Sequence, residues 1–77
     1  MLIEILGSGC TKCKLLAERA EEAVRGLGLD AQIIKVTEYP DIASRGVMST
    51  PGLVVDGVVM SQGHVPSMAA IREMLKG

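Results

Sequence analysis

Leu2-Ile3-Glu4-Ile5-Leu6-Gly7-Ser8-Gly9-Cys10-Thr11-Lys12-Cys13-Lys14 joins a short apolar run, a glycine-rich break and two cysteines separated by two residues. Leu2 to Leu6 reads as a buried strand, and Gly7-Ser8-Gly9 as the loop that ends it. From Cys10 onward the period changes. Leu15, Leu16, Ala20, Ala23, Val24 and Leu27 recur three and four apart, with Glu18, Arg19, Glu21, Glu22 and Arg25 largely opposite, which predicts an amphipathic helix stopped by Gly26 and Gly28. Ala31 to Val36 reads as a second strand. A short helix is expected from near Pro40 to Gly46. Leu53-Val54-Val55, Asp56-Gly57 and Val58 to Gln62 form a hairpin pattern, and Pro66 suits the first turn of a last helix carrying Met68, Ala69, Ile71, Met74 and Leu75.

The resulting order is β-α-β-α-β-β-α in one domain, residues 1–77. Strand–helix–strand units make parallel pairs with right-handed crossovers, and the hairpin adds an antiparallel pair. A four-stranded mixed sheet with helices on both faces follows. If the third strand runs antiparallel to the first, three loops meet at one edge: Cys10 to Cys13, Thr50-Pro51 and Gly63-His64.

Composition narrows the function. The chain has 77 residues, 48% hydrophobic, with 8 Lys+Arg against 9 Asp+Glu. A net charge of -1, no Trp or Phe and a single Tyr argue against a nucleic-acid binder. Mean hydropathy is +0.35, too apolar for a disordered segment. No apolar run approaches the ~20 residues of a membrane span. The opening residues make a poor signal peptide, and one cysteine pair is thin stapling for a secreted mini-protein, so a cytoplasmic monomer is expected.

Cys10 and Cys13 fall on one side of a first helical turn, close enough for a disulfide. Unpaired N–H groups at a helix start favour an anion there. Lys12 and Lys14 add positive charge, and the first acid inside the helix is Glu18. These features are expected to lower the ionisation range of the Cys10 thiol. Cys10 would then attack a substrate disulfide as nucleophile, and Cys13 would resolve the mixed disulfide. Two buried, inert cysteines are the bland alternative, opposed by the small residues before Cys10 and the polar Thr11-Lys12 between the thiols.

The chain resembles the thioredoxin-like superfamily, and within it the small glutaredoxin-like redox-active disulfide proteins. The resemblance rests on G-S-G-C-T-K-C-K after the first strand, T-P-G before the third, D-G in the hairpin and G-H-V-P before the last helix. It implies a thiol–disulfide oxidoreductase with no cofactor beyond a Cys10–Cys13 disulfide, acting on disulfide-containing proteins and served by a thioredoxin-reductase-like electron donor. It further implies a cis Thr50-Pro51 bond facing the dithiol, with Thr11, Lys12, Thr50, Pro51, Gly63 and His64 forming the rim. Thr11-Lys12 departs from the Gly-Pro of thioredoxins, and no Trp precedes Cys10.

Glu4 stands six residues before Cys10, where thioredoxins carry a buried acid. It either relays a proton from beneath Cys13 or is a strand glutamate reaching the sheet edge or Lys35. His64 is either a thiolate partner or a solvated loop residue. Met48 belongs to the rim or the core. The rival from another class is a soft-metal carrier of Cu(I) or arsenite type using the same dithiol. Such carriers end on a strand, whereas Ser67 to Lys76 is helix-forming throughout, and a structural metal site would need more ligands than two Cys and one His.

Overall fold

The structure is a computed structural model and describes residues 1–9 and 11–76. Its elements are β1 (Leu2–Leu6), α1 (Thr11–Leu27), β2 (Gln32–Val36), α2 (Tyr39–Ser44), β3 (Gly52–Val55), β4 (Val58–Gln62) and α3 (Met68–Lys76). The order is the expected one. The four strands form one mixed sheet, β2-β1-β3-β4, with β1 parallel to β2 and antiparallel to β3, and β3 antiparallel to β4.

Alternation along β1 divides the core. Ile3 and Ile5 point to one face, where Leu16, Ala17, Ala20 and Ala23 of α1 and Ile71 and Leu75 of α3 cover them. Leu6 points to the other face, where Val36, Val54, Val47 and Ile42 of α2 gather. Each large aliphatic side chain so buried contributes about 1.5–3 kcal/mol, which lets a chain with one aromatic residue hold a fold. Arg19 Nη1 donates to the Pro66 carbonyl (2.9 Å), tying α1 to the approach of α3.

Local chemistry sets the ends. Leu29 N–H donates to Val24 O and Gly28 N–H to Arg25 O, a Schellman pair that stops α1 at Leu27. Gly26 therefore lies inside the helix, and Leu15, expected on its apolar face, is exposed. Asp56 and Gly57 both take positive φ in the hairpin turn, as a type I′ connection requires. Pro66 precedes α3 rather than opening it, because Ser67 caps the helix by accepting the Ala70 N–H on its Oγ (3.2 Å). Among the described residues, no helix is long and apolar enough to cross a membrane.

Candidate active site

β1 ends opposite Val36 of β2 and Gly52 of β3, and Gly52 lies opposite Gln62 of β4. The segments beyond these residues therefore share one edge: Gly7 to Gly9, Thr11 to Cys13, Thr37, Thr50-Pro51 and Gly63-His64. The described parts of the three loops read from the sequence lie at that edge. Cys10 lies outside the described residues; Thr11 and Lys12 are exposed at the start of α1, and Cys13 is buried in its first turn.

Gly7 is the pivot of this edge. Its N–H donates to the Val36 carbonyl (2.9 Å), which holds it against the end of β2. A Cβ placed on Gly7 would stand 2.2 Å from Cys13 Sγ and 3.8 Å from Thr50 Cβ. The thiol thus occupies the space a side chain would fill, and Thr50 approaches the same spot from the β3 side. Only glycine permits this. The sequence marked Gly7 as a strand end without revealing what fills its missing side chain.

The Thr50-Pro51 peptide is cis, and Pro51 is buried. Its loop is fastened by backbone and side-chain bonds. Gly63 N–H donates to Ser49 O (3.2 Å) and Pro51 O (3.0 Å), and Met48 N–H donates to Gln62 Oε1 (2.9 Å). Gly63 has positive φ, so a side chain there would be strained. His64 follows it and is exposed. Met48 belongs to the rim: it is 91% exposed and lines a cleft with Tyr39, Ile42, Val47 and Thr50.

On the other side of the thiol, Cys13 lines a cleft of about 90 Å³ with Ile5, Gly7, Gly9, Lys14, Lys35 and Thr37. Two lysines and, among the described residues, no acid border it. That positive border favours the approach of an anionic disulfide.

Glu4 does not sit where the sequence suggested. Its ladder neighbours are Ile34 and Val54, so its side chain joins the α2 face, while Cys13 lies over Ile5 on the α1 face. Its partner is Arg45 Nε rather than Lys35, which pairs in register with Ile5 and lines the Cys13 cleft. Strand alternation explains both corrections. Arg45 carries no local signal of this role in the sequence, because its partner lies forty-one positions away. Among the described residues, no group of three His, Cys, Asp or Glu could hold a metal ion.

Residues 1–76 match the family model described as a thioredoxin domain. A protein of Methanocaldococcus jannaschii named thioredoxin is 43% identical over 76 residues, covering 99% of this chain and 87% of the relative. Another of that name, from Methanothermobacter thermautotrophicus, is 41% identical over 75 residues, 97% of each.

Proposed function

The chain belongs to the thioredoxin-domain family, and on that premise we propose that it is a protein-disulfide oxidoreductase working through Cys10 and Cys13. The observation that carries the reading is the placing of Cys13 Sγ on Gly7 with Thr50 beside it. A resolving thiol must be shielded from solvent yet close to the substrate, and Cys13, 5% exposed at this edge, meets both needs.

In the proposed cycle the Cys10 thiolate attacks one sulfur of a substrate disulfide. The Cys10–substrate bond forms, the substrate S–S bond breaks, and the first substrate thiolate leaves. The Cys13 thiolate then attacks the Cys10 sulfur, and the second substrate thiolate departs as the Cys10–Cys13 disulfide forms. Two electrons pass to the substrate, whose thiolates take up the two protons given up by the cysteines. A dithiol reductant of the thioredoxin-reductase type restores the reduced pair. Lys12, Lys14 and Lys35 support the thiolate forms; Thr50, Pro51 and Gly63 form the ledge on which an extended substrate segment lies.

Reduction of insulin disulfides with dithiothreitol as electron source tests this. Wild-type protein is expected to turn over, Cys10→Ser to lose turnover, and reduced Cys13→Ser mixed with insulin without dithiothreitol to accumulate a mixed disulfide. Stoichiometric binding of a soft metal without disulfide turnover would replace this reading with that of a metal carrier.

A further inference from the structure

A carboxylate in the middle of a central strand is costly to bury, and a buried ion pair is seldom the most stable filling for its site. Glu4 is 6% exposed, set between Ile34 and Val54, and its charge is met by Arg45. The guanidinium does more than neutralise it. Its Nη1 donates to the Asp41 carbonyl (2.8 Å), and the Arg45 backbone N–H donates to Ile42 O (3.2 Å), so the same residue closes the last turn of α2. The chain then runs Gly46-Val47-Met48-Ser49-Thr50-Pro51, with Val47 wedged so tightly over Gly52 that a Cβ there would stand 2.9 Å from it.

We propose that Glu4 and Arg45 are positioning residues: the pair pins the end of α2 to β1 and so fixes where the Thr50-Pro51 ledge stands relative to Cys13. It deepens the oxidoreductase reading and rests on it for its kinetic consequences. Buried ionic groups fix one arrangement in some proteins, and this part-buried pair joins two elements that nothing local in the sequence would join. The segment is thereby held at both ends, by Arg45 on β1 and by Gly63 and Gln62 at the end of β4. A proton relay by Glu4 is the competing role, and its carboxylate lies on the sheet face away from Cys13, engaged by a permanent cation.

Two substitutions separate the roles. Glu4→Gln cannot relay a proton, yet its side-chain oxygen can still accept the Arg45 Nε–H. Arg45→Met removes the anchor and leaves the acid. Positioning predicts that Glu4→Gln keeps KM for insulin within about twofold and leaves the pH–rate profile unmoved. Arg45→Met raises KM on the order of tenfold with kcat and the thiol titration at 240 nm little changed. Because Arg45→Met strands a buried charge, Glu4→Leu/Arg45→Met serves as the folded control. It too should show the raised KM, and should speed hydrogen exchange of the Gly63 amide severalfold. That amide reports on the ledge whether or not the protein reduces insulin, so failure of the enzymatic reading is told apart from failure of this one. A displaced pH profile in Glu4→Gln, or wild-type KM and Gly63 exchange in the double variant, would overturn the proposal.

Discussion

Gly7 is the residue on which the site turns, because its missing side chain is the room in which the Cys13 sulfur sits. Gly7→Ala must displace either the thiol or the strand end, and overpacking of this kind costs about 1–3 kcal/mol. The expected result is a lower urea midpoint together with loss of most insulin reduction; a fully active Gly7→Ala protein would show that the thiol need not lie there. Lys14 and Lys35 act at the same scale through charge. Reversing Lys14 to Glu should slow reaction of the reduced protein with an anionic aromatic disulfide severalfold at low salt. The difference should shrink near 1 M salt, where screening extends only ~3 Å. Equal rates at low salt would mean that the lysines do not steer. Residue-level contacts were the least legible part of the sequence. The period-two pattern fixes which face Glu4 takes only once the sheet order is known, and the Arg45 pairing depends on how α2 is laid across that face.

Elements are more legible than residue contacts because their ends are written in local chemistry. Asp56-Gly57 specified the hairpin, and the glycines after Leu6 and Leu27 marked two ends correctly. The sequence leaves the start of α3 open because Pro66 and Ser67 are both good helix-opening signals, and the serine hydroxyl is the one that bonds. Ser67→Ala tests that assignment. It should lower stability by about 1 kcal/mol and speed amide exchange in the first turn of α3, with insulin reduction unchanged. Unaltered stability would return the capping role to the chain before it. Spacing alone puts Leu15 in the buried stripe, yet α1 meets the sheet and α3 through a narrow row of Leu16, Ala17, Ala20 and Ala23. Small residues let the helix approach closely, and Leu15 falls outside that row.

Across the whole molecule, the fold exists to hold three loops at one sheet edge, and that convergence was legible from the order of elements. Parallel β1 and β2 with antiparallel β3 and β4 leave no other placement for Cys13, Thr50 and Gly63. The geometry rests on a thin reserve, since a domain of this size holds roughly 0.05–0.15 kcal/mol per residue. Leu16 is fully buried where α1 and α3 meet the sheet. Leu16→Ala should cost about 2–5 kcal/mol, a large share of that reserve, and lower the thermal midpoint accordingly. A change below 1 kcal/mol would mean the helix layer is looser than drawn. The central claim, that the two cysteines form a reversible two-electron couple, is tested most directly by equilibrating the protein across dithiothreitol redox buffers, trapping thiols by alkylation and weighing the products. The account predicts one cooperative transition between chains carrying two alkyl groups and chains carrying none. Two alkyl groups at every potential, or a persistent species with one, would contradict it.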